Sequence, residues 1–409
     1  MQFRRLMILL IIFGFSVTGL FSQNFLLKKG IDRFNSYDFE GAIKSLTGAI
    51  ESNGDLIVAY HYRGRSYFIL KQYQNAHDDF DNAVKLDDLN CLSYYYRGMA
   101  KLYLDDFYNS INDFDRAISI CNSKDIVNVY QYRAWARFKT ENYEGTIDDA
   151  NMAIIYNDHD ARSYYFRSVG YYHLGNYIKA LEDIKSAEKY GEKIPNLYHV
   201  RGLIKKKLLD TLGAFEDFNE AIKITNDFDA SHFQLGLIHK EKYEFNEAIS
   251  YFDKAIEYDT TEHKYFHERG LTKIQLKDYD GALSDFGLAI NIDSNNAEYY
   301  KSRADLKIEM DDIKGAIEDF DVIFEINPFA GDYYFDRALI RFKIKDYKSA
   351  IEDLNKCLSI VPDKVEAYYY SGLCKLESGE KEDACLDFSI AKDKGSKEAE
   401  KKMVEVCNR

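Results

Sequence analysis

The stretch YHYRGRSYFILKQYQNAHDDFDNAV at 60–84 returns as YYYRGMAKLYLDDFYNSINDFDRAI at 94–118 and again as FHERGLTKIQLKDYDGALSDFGLAI at 266–290. Aligned on the small residue that follows the arginine, the series runs Gly30, Gly64, Gly98, Ala134, Ser168, Gly202, Gly236, Gly270, Ala304, Ala338 and Gly372. Every step is 34 residues except one of 36, between Gly98 and Ala134. A period of this length marks a stacked array, in which each unit buries its apolar face only against its neighbours. It overrides the two or three globular domains that 409 residues would otherwise suggest.

A second small position follows twelve residues after the first, from Ala42 and Ala76 to Ala384, and a third lies seven further on, from Ala49 to Ala391. Between them stands a larger residue: Phe80, Phe114, Phe218, Phe252, Phe286, Phe320 and Phe388 in seven units, with Ala150 the smallest exception. Small residues let two helix backbones approach, and the large ones fill the space between layers. The chain holds only three prolines, Pro195, Pro328 and Pro362, so little interrupts a helical reading. Each unit is therefore predicted to be a pair of helices, A then B.

The alternation of aromatic, small, aromatic, alanine, aromatic and alanine across 34 residues resembles the tetratricopeptide repeat family. The resemblance implies an all-α, right-handed superhelical solenoid whose A helices line a concave groove. It covers residues 23–394 as eleven tandem units, at about 23–56, 57–90, 91–126, 127–160, 161–194, 195–228, 229–262, 263–296, 297–330, 331–364 and 365–394. The family's closing proline survives only at Pro328 and Pro362, and Asp or Asn makes the turn elsewhere. Residues 395–409 read as a C-terminal capping helix and tail, apolar at Ala399, Met403 and Val406.

Residues 1–22, MQFRRLMILLIIFGFSVTGLFS, carry Arg4 and Arg5 before a short apolar run and end in small residues, the pattern of a secretory signal peptide. The expected mature chain is exported, periplasmic, associated with an outer envelope or secreted, and has no membrane span after cleavage. Loss of Arg4 and Arg5 takes the formal charge from −14 to −16. That balance disfavours nucleic acid and anionic lipid, which are bound by basic patches, and favours partners with basic patches of their own.

No P-loop, dinucleotide fingerprint or nucleophile elbow occurs, and eleven units leave no room for a catalytic domain. The expectation is a non-enzymatic chain with neither cofactor nor metal. His263 and His267 share a helical face, but no third ligand accompanies them. Six cysteines, Cys91, Cys121, Cys357, Cys374, Cys385 and Cys407, show no zinc spacing. Buried free thiols are expected, with Cys374 and Cys385 as the pair to join if an oxidising compartment forms a bridge. Lys205, Lys206 and Lys207 read as a solvated basic spot.

An arginine precedes the small residue in eight units, at Arg63, Arg97, Arg133, Arg167, Arg201, Arg269, Arg303 and Arg337. Sixteen residues after each stands an aspartate: Asp79, Asp113, Asp149, Asp183, Asp217, Asp285, Asp319 and Asp353. In the seventh unit both are lost together, to Leu235 and Tyr251, which points to a contact between helices A and B. The eleventh unit keeps Asp387 opposite Ser371 and breaks the rule. A pair repeated eight times is a structural brace, suited to bidentate arginine.

Function then rests on what the repeat leaves variable. The resemblance places the fifth and ninth residues of each unit in the groove, and there the chain has His61 and Arg65, Tyr95 and Met99, Gln131 and Trp135, and Tyr165. His199, Phe233 and His267 continue the series. Aromatic residues at such places anchor protein partners. The implied role is a protein–protein interaction scaffold that binds a peptide or protein. A glycan-binding solenoid, with the same aromatics stacked on sugar rings, is the alternative. The basic clamp by which some relatives hold a C-terminal carboxylate is largely missing from these positions.

Overall fold

The computed structural model describes residues 25–52, 56–121, 126–191 and 193–407. The expected signal peptide at 1–22 lies outside the described residues, as do 122–125 of the step where two residues are inserted. Every regular element among the described residues is a helix.

The chain divides into two compact units, Met1–Ala221 and Ile222–Arg409. In the first, α1 (25–35) leads into α2 (Phe39–Ser52), and hairpins follow as α3 (Ile57–Ile69) with α4 (Tyr73–Leu86) and α5 (Cys91–Leu102) with α6 (Phe107–Ile120). Next come α7 (Ile126–Lys139) with α8 (Tyr143–Tyr156), α9 (Ala161–His173) with α10 (Tyr177–Tyr190), and α11 (Pro195–Lys207) with α12 (Thr211–Ile224). The division falls near the end of α12. The second unit holds α13 (Asp229–Glu241) with α14 (Phe245–Tyr258), α15 (His263–Gln275) with α16 (Tyr279–Ile292), and α17 (Ala297–Glu309) with α18 (Ile313–Ile326). It closes with α19 (Gly331–Lys343) and α20 (Tyr347–Ile360), α21 (Val365–Glu377) and α22 (Lys381–Asp393), and the single helix α23 (Lys397–Val406). Each unit is thus a stack of helical hairpins, an all-α solenoid.

Most A–B turns use one device. Lys71 takes a left-handed φ of 59°, its amide bonds the Phe68 carbonyl, and the next amide, of Gln72, bonds that of Tyr67. This is the Schellman closure of a helix. It recurs at Asp105, Glu141, Leu209, Tyr243, Lys277, Asp311 and Lys345, with glycine only at Gly175 and Gly379. Helix B then starts on an Asp or Asn in several units: Asn142, Asp278 and Asp312 each accept the amide of a glycine three residues on.

Between the helices, Phe80, Phe114, Phe218, Phe252, Phe286, Phe320 and Phe388 are fully buried. The preceding small residue is glycine for a steric reason: a Cβ on Gly98 would stand 2.8 Å from the Phe114 ring. Where the facing residue shrinks to Ala150 or Leu354, alanine is admitted at Ala134 and Ala338, although Ala304 faces Phe320.

All eight Arg–Asp pairs are joined. Arg97 shows the pattern, with Nε and Nη2 donating to the two oxygens of Asp113 at 2.9 and 2.7 Å. The sequence did not foretell the third nitrogen. Arg97 Nη1 donates to Asp81 on the preceding B helix at 2.7 Å, and Arg269 does the same to Asp253 at 2.6 Å. Arg133 reaches Asp115, Arg337 reaches Asp321, Arg167 reaches Asn151, Arg63 reaches Thr47 and Arg201 reaches Glu188. Arg303, whose counterpart on the preceding helix is Gly287, has Asp319 as its one ionic partner among the described residues. One guanidinium therefore ties two helices of its own hairpin and the hairpin before it.

The exception in the eleventh hairpin is explained by a second cation. Lys101, Arg137, Lys205, Lys273, Lys307 and Arg341, four residues after the brace arginine, pair with the same aspartate. In the eleventh hairpin Lys375 holds Asp387 alone at 2.6 Å, and the Ser371 hydroxyl donates to it at 2.6 Å. In the seventh hairpin the His239 ring stacks on Tyr251, which replaces the ion pair with an apolar contact. Lys205 is consequently no solvated surface charge, contrary to the reading of the 205–207 run.

The cysteines also depart from expectation. Cys374 and Cys385 do not pair: Cys385 bonds Cys407 and so fastens α23 to α22, while Cys91 bonds Cys121 across the two ends of the third hairpin. Cys357 and Cys374 stay free and buried. The pairing was missed because it depends on where the last residue of a helix falls after the turn, a detail below the resolution of a 34-residue register.

Candidate functional site

Within the unit of residues 1–221, the A helices α7, α9 and α11 form one wall, with Tyr103 just past the end of α5. Together they border a cavity of about 450 Å³. Trp135, Tyr132 and Phe138 come from α7, Tyr165 and Phe166 from α9, and Asn196 from the first turn of α11. Trp135 meets Tyr103 edge-on, with centroids 5.4 Å apart, and leans on Tyr132. Burial pushes the Tyr165 phenol above its ordinary range, against the opposing hydrogen bond with Asn196. Tyr103 is raised in the same way, first by burial and then by Tyr132 and Tyr73. Both hydroxyls stay protonated and can donate at neutral pH.

A second cavity of about 310 Å³ adjoins the first, sharing Arg162, Tyr165 and Phe166. Its remaining lining is aliphatic or small: Ala161, Ala187, Gly191, Ile194 and Leu197. A polar, aromatic recess thus continues into an apolar one.

Three of the ten residues singled out by register come together here: Gln131, Trp135 and Tyr165. The other seven lie elsewhere. Arg65 is enclosed by the rings of Phe34, Tyr62 and Tyr96. His61 Nε2 lies 2.7 Å from Ser93 Oγ, and burial, with the Arg65 charge next, pushes its imidazole down to about 4. Tyr95 packs against Tyr96 and Tyr132, and Met99 is buried in the core beneath them. His199 lies on Phe218, and Phe233 on Phe252 and Tyr265. His267 is buried, 2.9 Å from Ser302 Oγ, while His263 turns to the Tyr299 hydroxyl. Among the described residues no group of His, Cys, Asp or Glu is arranged to hold a metal ion.

Register reasoning overlooked Tyr103, Tyr132, Phe138, Lys139, Arg162 and Asn196. Two of them, Arg162 and Asn196, hold the second place of consecutive units. Phe138 and Lys139 stand one helical turn beyond Trp135. Reading the second, twelfth and thirteenth places beside the fifth and ninth would have assembled most of this wall.

Residues 57–90 match one model of the tetratricopeptide repeat, and residues 230–262, 263–296 and 331–364 match another. Four units of the chain thus match tetratricopeptide repeat models. Repeats of this kind present extended binding surfaces, and no catalytic family is indicated. No curated protein matches the chain.

Among solved structures, the chain is similar to yeast Tom70 at 16% identity, covering 94% of each chain with a TM-score of 0.41. It is similar to the C-terminal part of a TPR repeat-containing protein from Cytophaga hutchinsonii at 23% identity, over 58% of this chain and 97% of that one, with a TM-score of 0.48. The Cut9–Hcn1 hetero-tetramer of APC/C is similar at 11% identity, over 94% and 96%, with a TM-score of 0.42. Likenesses this distant assign no partner. No helix among the described residues is long and apolar enough to cross a membrane.

Proposed function

We propose that the protein is a non-catalytic scaffold of the cell envelope or secreted space, holding a peptide or protein segment in the recess between Trp135 and Tyr165. The observation that carries this reading is the pair of adjoining cavities along α7, α9 and α11. Rigid helices hold their aromatic walls, so little ordering is needed when an extended segment enters. Two bridges, Cys91–Cys121 and Cys385–Cys407, suit an oxidising compartment and support export, as does the signal pattern of residues 1–22.

An oligosaccharide is the second reading, favoured by the Trp135 and Tyr165 rings standing beside the amides of Gln131 and Asn196. The aliphatic lining of the smaller cavity weighs against it, because Ile194 and Leu197 offer nothing to a sugar hydroxyl.

The test is a photo-crosslinking residue in place of Tyr165, expressed in cells, with Ile178 on the exposed side of α10 as the control position. A discrete protein adduct from position 165 is expected. Adducts from position 178 with none from 165 would move the interface to another face. Protease protection in intact and permeabilised cells tests the compartment, and a cytosolic chain would sink that half of the reading.

A further inference from the structure

The groove reading leaves the chemistry of the occupant open, and two side chains on its wall narrow it. Lys139, the last residue of α7, borders the larger cavity, while Arg162, in the first turn of α9, borders both. Many of the half-buried cations of this chain are matched: Arg97, Arg133, Arg201, Lys205 and Lys273 each hold a carboxylate. Lys139 and Arg162 depart from that pattern. Neither has a carboxylate in ion-pair range among the described residues, and Arg162 lies instead over the Tyr132 ring, 5.7 Å from its centroid. Both are exposed, so either can reach a carboxylate without giving up an ion pair.

The lining of the two cavities carries these two cations and no carboxylate, in a protein whose formal charge is −14. Aromatic walls beside them lower the local dielectric and strengthen the attraction for an anion. Guanidinium offers a planar fork to a carboxylate, and the ammonium adds a point charge. Arg162 also stands where the polar cavity passes into the aliphatic one. A carboxylate seated there leaves a neighbouring side chain facing Ile194 and Leu197.

Resting on the groove reading above, we propose that the occupant is an acidic peptide segment. One Asp or Glu carboxylate is held by Lys139 and Arg162, and an adjacent aliphatic side chain fills the smaller cavity. The whole-chain charge, which favours basic partners, is overridden at this site.

The experiment pans a displayed library of random decapeptides on the full-length oxidised chain. Selected sequences are synthesised and titrated while Trp135, the one tryptophan of the chain, reports by fluorescence. The expected peptides carry Asp or Glu beside Leu, Ile or Val and shift the Trp135 signal. Glu→Gln in the peptide, or Arg162→Ala or Lys139→Ala in the protein, weakens each by about tenfold with the melting temperature unchanged. Peptides that shift Trp135 yet tolerate Gln for Glu, or tolerate Arg162→Ala, overturn the acidic specificity and leave the groove reading standing. Peptides that leave Trp135 silent, an empty selection, or a Trp135 response to chitohexaose in place of any peptide overturn both.

Discussion

Arg97 grips Asp113 through two parallel nitrogen–oxygen bonds and spends its third nitrogen on Asp81 of the preceding hairpin. The side chains of Arg97 and Asp113 are 14% and 6% exposed, whereas Asp81 is 30% exposed. Removing Asp113 leaves Arg97 only its arm to Asp81 and takes the carboxylate from Lys101, at a cost of about 3 kcal/mol, whereas Arg97→Ala leaves Asp113 paired with Lys101 and costs less. Asp81→Ala severs only the more exposed arm and costs about 0.2 to 1 kcal/mol. Urea denaturation of Arg97→Ala, Asp113→Ala and the double variant checks this. The double variant is expected to be less destabilised than the two single losses added together, and strict additivity would show that the brace carries no coupling.

The hairpin count and the brace were legible because both recur, and recurrence lets one chain serve as its own alignment. The loss of Arg and Asp together at Leu235 and Tyr251 identified the contact without coordinates. What varies in residue type was lost: the third arm ends at one fixed place of the preceding hairpin, but that place holds Thr47, Asp81, Asp115, Asn151, Asp253 and Asp321 in different units, and Arg201 turns instead to Glu188. The groove suffered most. Met99 and His267 occupy inward places by register yet are buried against neighbouring helices, while Arg162 and Asn196 reach the recess from positions not consulted. Register fixes which way a side chain leaves its helix, but the next hairpin decides whether it ends in a cavity or a core.

Leu209 holds φ at 65° with its side chain 89% exposed, so it bears the cost of a left-handed conformation with no packing in return. Gly175 fills the same turn position one hairpin earlier without that strain. Leu209→Gly is expected to raise stability by about 0.5 to 1 kcal/mol, the relief of steric strain exceeding the added freedom of the unfolded chain. Calorimetry of the variant decides it, and a lower melting temperature would mean that Leu209 makes a contact worth more than the strain.

The two bridges predict a thiol count. Without reductant, the native protein is expected to show no rapidly reacting thiol, because Cys357 and Cys374 are buried and burial pushes the Cys374 thiol up to about 12. Denaturation should then release two thiols, and reduction all six. Cys91→Ser with Cys121→Ser opens a loop spanning a sequence separation of 30, which by chain entropy costs about 3 to 4 kcal/mol. Four or six thiols from the unreduced, denatured chain would refute the bridges.

His61 supplies a pH dependence whose sign follows from its surroundings. Burial first, and the Arg65 charge second, hold its folded pKa at about 4, below the ordinary 6.5. The unfolded chain therefore takes up this proton first as the medium is acidified. The stability tied to neutral His61 is complete above pH 6.5, drains away as the pH falls toward 4, and totals about 3 kcal/mol. His173, His232 and His267 are lowered by burial as well and add to the same window. Urea midpoints measured from pH 7 to pH 4 should fall steeply in the native protein and less steeply in His61→Gln, whose amide keeps a partner for Ser93 without titrating. Parallel profiles for the two proteins would show that His61 takes up its proton equally in the folded and unfolded states.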